Sequence, residues 1–248
     1  MLLPATAVII AAGDGGRINK IINYPKILIE VDGKSLLEHH LHGLSMGGVK
    51  KFILVVGYKI DEIKNYINLK KLNENFDISY VENKYYQERE NGFSVYCGLK
   101  KVNDESCFVV MGDHIFDYGF LKGLDIHLSP KEPIIDFVDK EMKHMKNEWC
   151  TKVEEIDGYV TKSSKKLRSF NSLDIGLFIV NTKIVLEQLT NLLKEGKDEW
   201  NDVVGYNIRN NRVIAKEISK YFWHGVNTPD QYKDIISKSK IYLDENEK

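Results

Sequence analysis

The side chains best placed to do chemistry fall between residues 7 and 26, AVIIAAGDGGRINKIINYPK. A short apolar run, residues 7–11, has the length and composition of a buried strand. It leads into Gly13-Asp14-Gly15-Gly16 and then Arg17, and Pro25-Lys26 follows a short polar stretch. Glycines let a backbone approach a bulky anion and present its N–H groups. Arg17 brings a planar fork of donors suited to phosphate oxygens, and Lys26 brings a compact positive charge. The combination points to a triphosphate bound at the carboxyl end of a first strand. Two common phosphate motifs do not fit. The dinucleotide fingerprint Gly-x-Gly-x-x-Gly has Ile18 where its third glycine belongs, and the Gly-Lys-Ser/Thr of a P-loop is absent. For the glycines alone, a plain strand-to-helix turn with no ligand is the alternative. Arg17 and Lys26 weigh against it.

Regular elements must hold these groups in place. Residues 35–46 open with Ser35 and carry Glu38 three positions on, a capping box, with Leu36, Leu37, Leu41 and Leu44 at helical spacing. Residues 52–56, 78–81 and 107–111 read as strands, and 61–67, 93–102 and 117–125 as helices. Strands alternating with helices at this spacing predict a parallel, doubly wound sheet with ligands at the strand carboxyl ends. The second half reads as strands at 134–139, 151–156, 159–162, 174–180 and 212–218, with helices at 183–194, 199–209 and 229–238. Asp157-Gly158 marks a hairpin. No linker or repeat interrupts the chain. The predicted fold is α/β, a Rossmann-like doubly wound mixed sheet forming one domain over residues 1–248. Its nucleotide-binding half ends near residue 125 and its acceptor-binding half runs from 126 to 238. A charged tail, 239–248, is expected to fray.

Composition narrows the classes. The chain has 248 residues, 43% hydrophobic and 29% charged, enough for one large core. A net charge of −1 gives no electrostatic case for nucleic acid or an anionic membrane surface. The apolar runs are of strand length, too short to span a bilayer. Met1-Leu2-Leu3-Pro4 lacks the basic region and apolar stretch of a signal peptide. Cys97, Cys107 and Cys150 show no metal or redox spacing and read as buried thiols. A cytoplasmic setting is the expectation. Asp113, after an apolar strand and Gly112, suits either a Mg²⁺ ligand or a helix N-cap. No Ser/His/Asp or Cys/His arrangement supports a nucleophilic mechanism. Tyr221-Phe222-Trp223 reads as core packing.

The pattern Ala-Ala-Gly-x-Gly-x-Arg followed by Pro-Lys resembles the signature of the nucleotidyltransferases that activate sugar phosphates and related alcohol phosphates. The resemblance continues through Glu30-Val31-Asp32-Gly33-Lys34-Ser35-Leu36-Leu37, Val109-Val110-Met111-Gly112-Asp113 and Val226-Asn227-Thr228-Pro229-Asp230, so it covers nearly the whole chain in order. Glu90-Asn91-Gly92-Phe93-Ser94-Val95-Tyr96 and Met111-Gly112-Asp113-His114-Ile115 are most similar to cytidylyltransferases acting on inositol phosphate, and the phosphocholine cytidylyltransferases are similar at the first segment. The resemblance implies a reaction of CTP with an alcohol phosphate such as inositol 1-phosphate, giving a CDP-alcohol and pyrophosphate. Within the family the alternatives are another NTP with a sugar 1-phosphate, or phosphocholine as acceptor, for which Trp149 and Tyr159 are the available aromatics. Outside it stand a non-catalytic nucleotide sensor and a nicotinamide-dependent oxidoreductase. The joint presence of Arg17, Lys26, Asp113 and Lys152 argues against the first, and the missing third glycine against the second.

The same resemblance implies roles residue by residue. Ala11, Ala12, Gly13 and Gly15 would surround the nucleotide, Lys26 would reach the α-phosphate, and Arg17 the β- and γ-phosphates. Glu90, Asn91, Gly92 and Ser94 would form the base loop, with Gly92 close to the base and Ser94 capping the next helix. Mg²⁺ would sit on Asp113 and Asn227, although relatives often carry Asp where this chain has Asn227 and His224. Thr228 would also cap a helix that starts at Pro229. Lys152 would meet the acceptor phosphate, and Asp136, Asp139 and Asp174 the hydroxyls of a polyol. Relatives can be fused to a membrane synthase that uses the CDP-alcohol. With no membrane segment read here, a separate partner enzyme is the expectation. Homo-oligomer formation is left open.

Overall fold

The structure is a computed structural model and describes residues 3–18 and 21–242. From the N-terminal side, β1 (Thr6–Ala11) leads through the glycine turn to a small hairpin, β2 (Glu30–Val31) with β3 (Lys34–Ser35), and then to helix α1 (Leu36–Met46). β4 (Lys51–Val56), α2 (Ile60–Leu69), α3 (Leu72–Asn75), β5 (Asp77–Glu82), α4 (Asn91–Leu99) and β6 (Ser106–Met111) follow. β5, β4, β1 and β6 lie side by side and all run parallel. The α1 capping box is present: Ser35 Oγ accepts from the Glu38 amide at 3.1 Å, and Glu38 Oε2 accepts from the Ser35 amide at 2.9 Å.

The second half adds β7 (His114–Phe116), β8 (Ile134–Asp139), β9 (Thr151–Ile156), β10 (Tyr159–Ser164), β11 (Ser172–Asn181), α5 (Thr182–Lys194), α6 (Trp200–Ile208), β12 (Val213–Glu217), β13 (Trp223–Gly225) and α7 (Pro229–Tyr242). Beyond β6 the sheet continues β11-β8-β12-β10-β9, with β11 antiparallel to both β6 and β8. β9 also pairs with β11, Thr151 opposite Asp174, so β11, β8, β12, β10 and β9 close into a ring. The sheet is therefore mixed rather than purely parallel.

Strand alternation sends side chains to opposite faces. Ala7 and Ile9 of β1 pack among Leu37, Leu41 and Leu44 of α1. Val8 packs instead with Val95 and Leu99 of α4, Leu189 of α5 and Val203 of α6. Asp157 (φ 51°) and Gly158 (φ 84°) make the hairpin turn between β9 and β10, as a type I′ turn requires. Cys107 and Cys150 are buried and Cys97 is half-buried, all as free thiols. Among the described residues no helix is long and apolar enough to cross a membrane.

Three expectations are corrected. The helix predicted at 117–125 shrinks to one 3-10 turn, Tyr118–Leu121. Asp117 Oδ1 accepts from the Gly119 amide at 2.8 Å, and Gly123, at φ +74°, takes the chain out of helical space. Helix α4 starts two residues earlier than predicted, so Ser94 lies inside it and caps nothing. Helix α7 continues past Lys238 to Tyr242, so the start of the tail is helical; residues 243–248, like Met1 and Leu2 of the N-terminal segment, lie outside the described residues.

Candidate active site

A cleft of about 490 Å³ opens where β1 and β6 end and β11 begins. Ala11, Gly13 and Arg17 line it, Arg17 with its side chain exposed. Gly15 takes φ 68°, a conformation glycine adopts freely, and its carbonyl accepts from the Ile18 amide at 2.8 Å. Ala12 is buried behind the turn, its carbonyl accepting from the Tyr58 amide at 3.0 Å. Lys26 begins a single 3-10 turn, Lys26–Leu28, whose Ile27 and Leu28 are buried and anchor it. That anchoring carries the Lys26 ammonium into the cleft.

Lys26 Nζ donates to Asp113 Oδ2 at 3.0 Å and to Asn227 Oδ1 at 2.8 Å. Asp113 reaches this point because β6 ends tightly against β1. The Gly112 amide donates to the Ile10 carbonyl at 3.0 Å, and a Cβ at Gly112 would stand 2.5 Å from that oxygen. Asn227 is brought in by a backbone link, the Val226 amide donating to the Asp113 carbonyl at 2.7 Å. Thr228 Oγ1 accepts from the Gln231 amide at 3.2 Å, so the capping role of Thr228 is met as well. Asp113 is no N-cap: it leads directly into β7.

His114, the residue after Asp113, lies beside it with Nδ1 2.8 Å from Oδ1. Its ring stacks near Trp223, centroids 6.2 Å apart. Burial would raise the Asp113 pKa, but the Lys26 ammonium and His114 outweigh it and hold the carboxyl well below the usual carboxylate range. Asp113 is thus ionised, and the His114 nitrogen facing it carries a proton.

The residues present fit a hard divalent cation. Asp113 and Asn227 each direct an oxygen at the same ammonium, so the two oxygens already gather around one positive centre. Among the described residues no cluster of three or more His, Cys, Asp or Glu could hold a metal by itself. Mg²⁺ commonly uses one or two protein oxygens together with phosphates and water, which is the donor set available here.

Glu90, Asn91 and Ser94 line the cleft. Asn91 Oδ1 accepts from the Trp200 amide at 2.9 Å, tying the start of α4 to the start of α6. Ser94 Oγ accepts from Asn83 Nδ2 at 2.9 Å. Gly92 is buried and is not among the cleft residues; a Cβ there would stand 2.6 Å from the Asp198 carbonyl oxygen. Close approach of the backbone at Asp198 and Glu199, just before α6, requires glycine at that position.

At the opposite end Thr151 and Asp174, paired across the ring closure, both line the cleft. Asp174 Oδ1 accepts from the Gly176 amide at 2.7 Å. The cation entering here is Lys165, from the turn after β10. Lys152 is corrected: it lies next to Thr151 on β9, outside the cleft, with Nζ 5.2 Å from the Phe170 ring centroid. Alternation along the strand gives the cleft to Thr151 and takes it from its neighbour. Asp139 is corrected too. It is fully buried, Oδ1 accepts from the Glu141 and Met142 amides at 2.9 and 3.1 Å, and Oδ2 accepts from Trp223 Nε1 at 2.9 Å. Its oxygens serve the loop after β8 and are not offered to a ligand. His224 is fully buried with Nε2 2.9 Å from Asp234 Oδ2, so it is not positioned as a cation ligand. Asp136 is buried in β8.

The MobA-like NTP transferase domain family matches residues 7–136. The "Bifunctional IPC transferase and DIPP synthase" of Aquifex aeolicus is 31% identical over 96% of this chain, which covers 51% of that protein. The chain thus spans about half the length of the first curated relatives it matches. Among solved structures, the inositol-1-phosphate CTP transferase from T. maritima superposes with a TM-score of 0.80 at 22% identity, covering 96% of this chain and 97% of that one. The CTP:phosphocholine cytidylyltransferase from Streptococcus pneumoniae gives a TM-score of 0.69 at 18% identity, covering 94% and 99%. At these identities the structural likeness shows the fold.

Proposed function

We propose that this chain, which belongs to the MobA-like NTP transferase domain family, is a cytidylyltransferase that joins CTP to an alcohol phosphate, with inositol 1-phosphate as the favoured acceptor. Enzymes of this family generally use a divalent metal. The observation that carries the reading is the convergence of Lys26, Asp113 and Asn227 within 3.0 Å at the junction of a glycine turn and a polar pocket. One half of the chain then holds the nucleotide and the other the acceptor within a single domain.

The transfer forms a bond between an acceptor phosphate oxygen and the α-phosphorus, and breaks the bond from that phosphorus to pyrophosphate. A phosphomonoester has its second pKa near ~6, so the attacking oxygen is largely ionised at neutral pH and needs no base. The chain's task is positioning and charge neutralisation. The glycine turn and Arg17 face the triphosphate, Lys26 faces the α-phosphate, and Lys165 at the far end meets the acceptor phosphate. Asp113 and Asn227 would hold Mg²⁺, which would supply further charge neutralisation.

Inositol phosphate is favoured over phosphocholine on two observations. Trp149 lines the cleft but carries the Lys146 ammonium 4.9 Å from its ring centroid, which leaves that face unsuited to a second cation. Tyr159 lies outside the cleft and donates to Glu132 Oε1 at 2.5 Å. The test is pyrophosphate release from each of the four NTPs against inositol 1-phosphate, phosphocholine and hexose 1-phosphates. The highest kcat/KM is expected for CTP with inositol 1-phosphate. A higher value for phosphocholine or a hexose 1-phosphate overturns the acceptor assignment, and a preference for another NTP overturns the nucleotide assignment.

A further inference from the structure

The imidazole of His114 sits in a slot between two glycines. His114 opens β7 and pairs with Gly225 of β13, two residues before Asn227. Its ring lines the cleft, with 18% of the side chain exposed. A Cβ at Gly225 would stand 3.1 Å from His114 Nε2 and 3.3 Å from Cδ2. A Cβ at Gly176, within the β11 bulge, would stand 3.1 Å from both Cε1 and Nδ1. The Gly176 backbone, at φ +80°, favours glycine in its own right. Gly225 is not left-handed, so the ring beside it is what a side chain there would meet first. Phe116 stacks on the ring at 9° with centroids 6.1 Å apart, and Trp223 at 24°.

Among the described residues, the polar contact of this ring is Nδ1 to Asp113 Oδ1 at 2.8 Å. The other carboxylate oxygen, Oδ2, accepts from Lys26, which also donates to Asn227 Oδ1. Rotation about the last torsion of an aspartate is soft, so a carboxylate held at one oxygen can turn. One held at both oxygens has its plane fixed. If Oδ2 turns from the ammonium to a cation, the His114 bond on Oδ1 is the hold that remains. Groups that bond to a metal ligand in this way orient it and tune its affinity.

We propose that His114 is a positioning residue for the cation site: clamped between Gly176 and Gly225, it fixes the plane of the Asp113 carboxylate so that Oδ2 faces Asn227 Oδ1. This rests on the reading of Asp113 and Asn227 as cation ligands. It adds that glycines of β11 and β13, far from Asp113 in sequence, set the geometry of that carboxylate through one ring.

The test uses the full chain with Mn²⁺ as the probe, in the presence of CTP and without acceptor. Bound ion is read from loss of the free-ion EPR signal, after subtraction of the Mn²⁺ that CTP alone holds. His114→Asn and His114→Leu are nearly isosteric with each other. Asn can place an amide N–H where Nδ1 stands, and Leu places a methyl there. Affinity should stay within about threefold of wild type in Asn and fall about tenfold or more in Leu. Gly225→Ala should weaken binding about threefold or more in the wild-type background. Beside His114→Asn it should change binding less than about twofold, because Asn lacks the Nε2 edge that the new Cβ displaces. Equal affinity in Asn and Leu, or binding by Leu as tight as wild type, overturns the proposal. An equal effect of Gly225→Ala in both backgrounds overturns it too, since the glycine would then act other than through the ring. Should Leu fail to fold, the Gly225→Ala comparison still decides. If wild type with CTP binds no Mn²⁺ beyond the share of CTP alone, the cation reading itself falls, which is a separate result.

Discussion

Replacing Lys26 with Met removes one positive charge while keeping most of the side chain's length. Two costs can be worked out from the structure, and they differ in size. The first is stability. Lys26 is 18% exposed and its partner Asp113 25%, so the pair is neither fully buried nor free in solvent. Breaking a buried pair costs about 3–5 kcal/mol, and an exposed pair contributes about 0–1. His114 still holds the other Asp113 oxygen at 2.8 Å. A loss of about 1–2 kcal/mol follows, a fall in Tm of roughly 2–8 °C for a chain of this size. The second cost is catalytic. An ammonium that meets charge developing at the reacting phosphorus is a preorganised electrostatic stabiliser, and removing one such group typically costs about 10²–10³ in kcat. The variant should therefore fold, melt a few degrees lower and bind CTP with a KM changed only a few-fold, while kcat collapses. Thermal melts and initial-rate measurements at saturating Mg²⁺ read the two effects separately. A kcat within about threefold of wild type would refute the role given to Lys26. A Tm fall far beyond the stated range would show instead that the ammonium is chiefly structural.

Other outcomes follow from the same geometry. Lys165→Met should raise the KM for the acceptor about tenfold or more, as expected for one lost phosphate contact, whereas Lys152→Met should leave it nearly unchanged; the reverse order would restore the assignment made from sequence. Activity should require a divalent ion and vanish with EDTA, with Asp113→Asn costing more than Asn227→Ala and Asn227→Asp retaining turnover; a rate indifferent to EDTA defeats the metal assignment. Asp174 has its folded pKa raised to about 6 by burial, against 3.8 for an ordinary Asp. Its protonation therefore favours the folded state fully below about pH 4, and that contribution is lost as the pH rises to about 6, up to about 3 kcal/mol by linkage. Asp174→Asn removes this dependence, so urea unfolding should show it gaining on wild type between pH 4 and pH 7. A difference that stays constant over that range contradicts the assignment.

The features legible in the sequence are those set by short-range signals. The apolar run and glycine turn gave β1 and one wall of the cleft. Ser35 and Glu38 gave the start of α1 through a box that closes within four residues. Asp113 and Asn227, named separately along the chain, do meet around Lys26. What stayed hidden depends on long-range pairing. The exchange of Lys152 for Lys165 depends on which face of β9 closes against β11, and Thr151-Lys152-Val153 has no alternation strong enough to say. Asp139 is claimed by Trp223, a residue whose proximity no local pattern announces. Gly92 answers to the backbone at Asp198 rather than to a ligand. His114 carried a usable signal, being a histidine directly after a cleft carboxylate.

Closure of β9 onto β11 has a consequence for how copies of this chain could meet. A strand with an unpaired ladder is where another chain can be added. The nine-stranded sheet ends at β5 on one side, and on the other β9 folds back onto β11. Among the described residues one open ladder of this sheet lies along β5. It is short, bounded by Asp77 and Glu82, and Lys64 holds its ammonium 5.7 Å from the Tyr80 ring centroid. On the other flank β9 turns back onto β11, and β10 meets β12 only at Tyr159 and Ile214. Strand addition at β5 would leave the Thr151 and Asp174 end of the cleft unobstructed by that contact.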